Sequence, residues 1–327
     1  MEAVIDREQA AVRSERRRKR ETYEQLVERL SVQSVRKHYD AYDDIDWDAP
    51  ENAIRKDDPR FELSPSESSL GATAWYQAQP QPVRAEIGLT GIVGSMKMGV
   101  IFESVLKRGL LDFAFRLPNN SPEFRYCYHE VIEEAQHSLM FQEFINRSGL
   151  DPRGMDGSLE RATRFVASLG RRFPELFFFF VLGGEEPIDY AQKQTLRSSK
   201  DLHPLTERIM KIHITEEARH LCFARHYLQR NVPSLPWHKR RVLTYGVPII
   251  LGEMAAMMLE PGPGMIRKFR IPPEVIREAF TDNTEHKHRV RASLASVARL
   301  CIDLELLDDS SAWFWKARRL GNPLKYA

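Results

Sequence analysis

Cysteine is scarce in this chain: Cys127, Cys222 and Cys301 are the three present in 327 residues. An odd, scattered set makes no disulfide framework and has no zinc-type spacing. A reducing, cytoplasmic setting is therefore expected. Charge of one sign is lacking too: 48 Lys and Arg against 46 Asp and Glu leave a net +2. That removes any global electrostatic case for nucleic acid. Long apolar runs are absent. The longest, Leu176–Leu182 around Phe177-Phe178-Phe179-Phe180, falls well short of the roughly 20 residues that span a bilayer. It reads as the buried stretch of a core helix, and no membrane partner is expected. The N-terminus is charged throughout and gives no expectation of a secretory leader. What is left is a chain 42% hydrophobic and 29% charged, long enough for one large core.

One spacing occurs twice. Glu103 precedes Glu134, and Glu134 opens Glu-Ala-Gln-His, ending at His137. At an identical separation Glu186 precedes Glu217, and Glu217 opens Glu-Ala-Arg-His, ending at His220. A single constant offset therefore carries Glu103, Glu134 and His137 onto Glu186, Glu217 and His220. Residues i and i+3 share a helix face, so each Glu-x-x-His pair points at one place. The separation fits a helix, a short loop and a return helix that brings the lone Glu opposite the pair. One Glu from each of two helices, with a Glu-x-x-His from each of two others, is the pattern of a dinuclear carboxylate site in a four-helix bundle. Mixed oxygen and nitrogen donors suit two iron ions, with manganese as the alternative.

The expected fold is all-α: a ferritin-like four-helix bundle with additional N- and C-terminal helices, forming a single domain over residues 1–327. Residues 1–37 read as a charged arm or helix, centred on Arg16–Arg20. Residues 40–70 read as an ordered wrap, because Trp47 and Phe61 need somewhere to pack. The bundle core is expected over 80–232. Its helices should run from about 82 to 117, from a Ser121 cap with Pro122 to Gly149, from Pro174 onward, and from His203-Pro204 to about Arg230. A connecting helix is expected near 157–171. Accessory helices follow over 233–327, and Trp313, Phe314 and Trp315 read as docked anchors. Pro187, just after Glu186, is expected to disturb its helix beside a ligand.

Further positions bear on the site. His213 lies four before Glu217 and seven before His220, on the same helical face, as a candidate seventh ligand. Glu130 is its counterpart in the first half, and could bind metal, accept from a ligand histidine or pair with Arg219. Glu133 and Glu216 each precede a ligand Glu and are natural partners for the far nitrogen of a ligand histidine. Tyr190, four after Glu186, could hydrogen-bond a ligand or serve in redox chemistry; a core tyrosine is the plainer reading.

His-Ile-Thr-Glu-Glu-Ala-Arg-His at 213–220 carries a resemblance. With its extra histidine four residues before the second Glu-x-x-His, it resembles the p-aminobenzoate N-oxygenase (AurF) family, within the ferritin-like di-iron carboxylate superfamily. The resemblance spans about 40–305. It implies a di-iron cluster held by Glu103, Glu134, His137, Glu186, His213, Glu217 and His220. It implies a dioxygen-dependent oxidoreductase, oxidising an arylamine through hydroxylamine towards a nitro group, with an external electron donor and a homodimeric assembly. Two departures stand out. Residues 95–102 hold Lys97 but no arginine, so Met98, Gly99 and Phe102 favour an apolar or bulkier substrate. The family's aspartates beside the ligands are Glu133 and Glu216 here. A hydroxylase, desaturase or oxidase acting on carbon, on an apolar or carrier-bound substrate, is the alternative, and metal storage the non-enzymatic one.

Overall fold

The computed structural model describes residues 21–152, 157–198 and 201–325, leaving aside the side chains of 157–162. The basic run Arg16–Arg20, and with it most of the charged arm, lies outside the described residues. No strand occurs among those described, and the chain is all-α. Helix α1 (Tyr23–Arg36) opens on a capping box between Thr22 and Gln25. The bundle consists of α2 (Gln81–Ala114), α3 (Pro122–Ser148), α5 (Pro174–Ser198) and α6 (Pro204–Asn231), with α4 (Gly157–Arg172) as the crossing connection. Helix α7 (Trp237–Leu259) packs on α5. Shorter helices follow, including α8 (Pro263–Phe269), α9 (Thr284–Ser293), α10 (Ala295–Asp303) and α11 (Ala312–Ala317).

The helix limits follow local chemistry. Prolines open α2, α3, α5, α6 and α8, where a missing N–H costs nothing. Gly149 ends α3 with φ 62°, a left-handed conformation that glycine adopts without penalty. Ser121 sits at the start of α3 but does not cap it; its hydroxyl bonds the Glu123 carboxylate instead. Leu294 separates α9 from α10.

Two apolar clusters sandwich a polar belt. One contains Phe113, Tyr126, Phe177, Phe178, Phe179, Phe223 and Tyr227. The other contains Trp47, Phe61, Val93, Met140, Phe144, Leu205 and Ile209. Helix α2 enters the second cluster with Val93 and Met96 and the first with Phe102 and Leu106, so Glu103 falls at the boundary. Helix α3 crosses from Cys127 to Met140, and α6 from Ile212 to Leu221. Every motif residue on these helices lies between those limits. Burying each of Phe177, Phe178 and Phe179, all 0% exposed, contributes about 1.5–3 kcal/mol before entropy is counted.

The wrap closes over one side. The Trp47 indole N–H donates to the Ala41 carbonyl at 2.7 Å, and the Ala41 N–H donates to Gln136 on α3 at 2.8 Å. Helices α2 and α4 touch backbone to backbone: a Cβ on Gly170 would lie 1.9 Å from the Gly109 carbonyl oxygen. The tail anchors divide, since Trp315 is buried while Trp313 stands exposed. Helix α2 and the α7–α8 stretch Trp237–Phe269 are each long and apolar enough to cross a membrane by length and composition alone, a test that the core helix of a soluble protein also passes. In α2 that composition belongs to a bundle helix carrying the buried Glu103.

Candidate metal centre

Helices α2, α3, α5 and α6 converge on one buried group of carboxylates and imidazoles. Single donor atoms of Glu103, His137 and His213 lie within 4.8 Å of one another. The same holds for Glu134, His137 and Glu217, for Glu185, His213 and Glu217, and for Glu130, Glu134 and His220. Glu134, His137, His213 and Glu217 each recur in two of these groups.

Each histidine is oriented by an acceptor on its far side. His137 donates from Nε2 to Glu216 at 2.8 Å. Its Nδ1 is thereby turned to Glu134 and Glu217, both at 3.6 Å, and to Glu103 at 4.0 Å. His220 donates from Nε2 to Glu133 at 2.7 Å, and its Nδ1 lies 3.0 Å from both Glu134 and Glu217. The support crosses the bundle: the glutamate beside each ligand glutamate holds the histidine of the other half. His213 donates from Nδ1 to Gln192 at 3.1 Å, which frees Nε2 to face Glu217 at 3.9 Å and Glu185 at 4.0 Å. Such outer contacts fix the ring and the tautomer of a metal-binding histidine.

The outer partners are held in turn. Glu216 also accepts the Tyr39 N–H at 3.2 Å, so the wrap reaches into the site. Glu133 accepts from Arg219 at 2.8 Å, and Arg219 donates to Ser34 of α1 at 3.2 Å. Arg219 therefore serves Glu133 rather than Glu130. Lys107, one turn after Glu103, donates to Ser138 at 2.5 Å and to the Glu134 carbonyl at 2.8 Å. Ser138 in turn donates to Glu103 Oε2 at 2.6 Å.

The fourth expected glutamate is corrected. Glu185, not Glu186, faces the group. Glu186 turns the other way, accepting from the Arg225 guanidinium and from the Val297 N–H at 3.2 Å at the start of α10. The equal spacing of the two halves pointed to Glu186, but the loop joining α5 to α6 need not match the one joining α2 to α3. A separation one position longer meets the geometry as well. Helix α5 continues through Pro187. Tyr190 follows Glu186 by one turn and goes with it, half-buried, while Asp189 and Gln192 continue the Glu185 face. Lys107, Ser138, Gln192 and Glu185 were missed in the sequence. Only the Glu185-Glu186 doublet carried a readable signal.

The residues fit divalent cations. Glu103 Oε1, Glu130 Oε2, both oxygens of Glu134, His137 Nδ1 and Glu217 Oε2 are fully buried and make no hydrogen bond. Glu134 Oε1 stands 3.0 Å from His220 Nδ1 but outside hydrogen-bonding alignment. Buried polar atoms are normally satisfied, and six unsatisfied ligand-type atoms converging on one place call for a cation. The electrostatics agree. Burial and the Glu134 charge push Glu103 up to about 8, and burial pushes Glu130 up to about 8. Burial and the neighbouring Glu217 raise Glu185 well above the carboxylate range. Burial works to lower His137 and His220, yet the carboxylates around them win and hold both well above the usual imidazole range. Burial also opposes charge on Glu133, but the His220 hydrogen bond and Arg219 draw it down to about 2. His213 is held well below its ordinary range by burial and by His137, and is therefore the neutral imidazole that binds metals.

A helical bundle with this glutamate and histidine constellation defines the class of dinuclear carboxylate proteins. Residues 20–305 match the family described as P-aminobenzoate N-oxygenase AurF. The chain belongs to that family, whose members are di-iron. It is also similar to two mycobacterial proteins, Mb0909 of Mycobacterium bovis and Rv0885 of Mycobacterium tuberculosis, both named as uncharacterized. Each is 38% identical over 305 residues, covering 93% of this chain and 89% of the relative.

Proposed function

We propose that this protein is a di-iron oxygenase that uses dioxygen to oxidise the nitrogen of an organic amine, an arylamine first. The observation that carries the reading is the position of His213. Its neutral Nε2 is aimed at Glu217 and Glu185 by Gln192, giving the Glu-x-x-His pattern the extra nitrogen on which the resemblance rests. The proposed ligands are Glu103, Glu134, His137, Glu185, His213, Glu217 and His220. Two bound irons would supply the electrons and Lewis acidity that dioxygen chemistry needs.

The chain's own residues position and dry that chemistry. Glu133 and Glu216 hold the histidines in the binding tautomer. Ser138 pins one oxygen of Glu103 and leaves the other free. Phe141 stands 5.5 Å from the His213 ring, and Phe102 stacks on Phe180 at 5.0 Å. These rings displace water and strengthen the electrostatics inside. A Cβ on Gly99 would meet the Phe141 ring at 2.8 Å, so the space directly beside Gly99 is taken by that ring.

The test is a single-turnover assay. Protein loaded anaerobically with ferrous iron, reduced and exposed to dioxygen should convert members of an arylamine panel to hydroxylamine or nitro products. No product, together with oxidation of an apolar or carrier-bound acyl substrate at carbon, would transfer the assignment to the hydroxylase and desaturase class.

A further inference from the structure

We propose that Glu130 is a fifth carboxylate ligand of the centre, binding the cation on the His220 side through Oε2. The inference rests on the dinuclear reading above and goes beyond its seven ligands. Glu130 is 1% exposed, and its Oε2 is fully enclosed without a hydrogen-bond partner. Donor atoms of Glu130, Glu134 and His220 lie within 4.8 Å of one another. No arginine or lysine is ion-paired with Glu130 among the described residues: Arg219 is committed to Glu133, Glu216 and Ser34, and Lys107 to Ser138 and the Glu134 carbonyl. A buried carboxylate with no protein partner, aimed at a second carboxylate and an imidazole, is placed as a metal ligand is placed.

Pseudo-symmetry gives the same answer. On α3, Glu130 stands four residues before Glu134 and seven before His137. On α6, His213 stands four before Glu217 and seven before His220. Positions i, i+4 and i+7 share one helical face, so both helices present a third donor to the interior. His213 groups with Glu103 and His137 and also with Glu185 and Glu217, whereas Glu130 groups with Glu134 and His220. One cation thus gains a neutral imidazole and the other a carboxylate. Four carboxylates neutralise two divalent cations, and the fifth adds one negative charge on the His220 side. That charge favours the higher oxidation state of the ion there and makes the two ions inequivalent.

The test uses cobalt(II) as the probe, titrated anaerobically into the full-length chain and followed by calorimetry and visible absorption. Wild type should bind two ions. Glu130→Gln keeps the shape and removes the anion. It should bind one ion as wild type does and the other more weakly by about tenfold or more, comparable to or beyond the loss of an outer partner, with altered cobalt bands. Glu130→Asp keeps the charge but withdraws it by one methylene, and should fall between the two; it also serves if the Gln variant is poorly folded. Two ions bound by both variants with wild-type constants and bands would overturn the proposal while leaving the dinuclear reading intact. Fewer than two ions bound by wild type would overturn the dinuclear reading itself, and the fifth ligand with it.

Discussion

Adjacent glutamates on α5 make the most demanding test, because Glu185→Gln should lower metal content and Glu186→Gln should not. Glu185 is buried against Glu217, Glu134 and Glu103, and that environment holds it protonated in the absence of a cation. Replacing it with the neutral isostere should leave the metal-free protein as stable as before, or more so. It removes an anionic donor, so one ion should bind about tenfold or more weakly, about 1.4 kcal/mol at the least. Glu186 is 4% exposed and accepts from Arg225 and from the Val297 N–H. A glutamine there still accepts those bonds but loses the charge that faces the guanidinium. Burial raises Glu186 above its ordinary value while Arg225 opposes it, and Arg225 is about a third exposed, so the net change in stability should stay within about 1–2 kcal/mol. At about 2.1 cal/mol/K per residue over 327 residues, that is a shift in Tm of no more than about 3 °C. The assay is metal analysis after anaerobic ferrous loading and desalting, paired with calorimetric melts of the metal-free forms. Loss of iron in Glu186→Gln, with two irons kept in Glu185→Gln, would refute the assignment.

Metal loading should release protons at neutral pH. Glu103 and Glu130, each raised to about 8, hold protons that a cation displaces, so affinity should climb with pH up to about 8; calorimetry in buffers of different ionisation enthalpy measures the count. By the same linkage, folded-state values above the ordinary 4.5 mean that the metal-free protein should lose stability as pH rises from about 4.5 to about 8, and a flat stability profile from denaturant melts would contradict this. Glu133→Gln should keep both ions but weaken the one at His220 by about 10–100-fold, because the histidine loses its anionic partner; unchanged dissociation constants would remove Glu133 from the orienting role. Gly170→Ala should destabilise the fold by more than about 1–3 kcal/mol, since its Cβ would lie 1.9 Å from the Gly109 backbone oxygen, and a wild-type urea midpoint would show that α2 and α4 can separate at little cost.

Much of the centre was legible in the chain because it is local. Glu134 with His137, and Glu217 with His220, lie within one turn of helix, so their order in the chain already places each pair on a common face. The same holds for His213 and Glu130, and for the proline and glycine limits of the bundle helices. What sequence periodicity could not settle was rotation across a loop. Glu185 and Glu186 are neighbours of identical chemistry, about 100° apart around the helix. Which of them turns inward depends on how α5 seats against α6, α7 and α10. Arg225 and the Val297 N–H receive Glu186, and Glu185 is left to the centre. Tyr190 follows that rotation away from the role the sequence suggested. The contacts of Lys107, Ser138, Gln192 and Tyr39 likewise join segments distant in the chain. Local sequence assigns the donors to their helices. The angle at which each helix is turned comes from packing, because side chains on other helices set it.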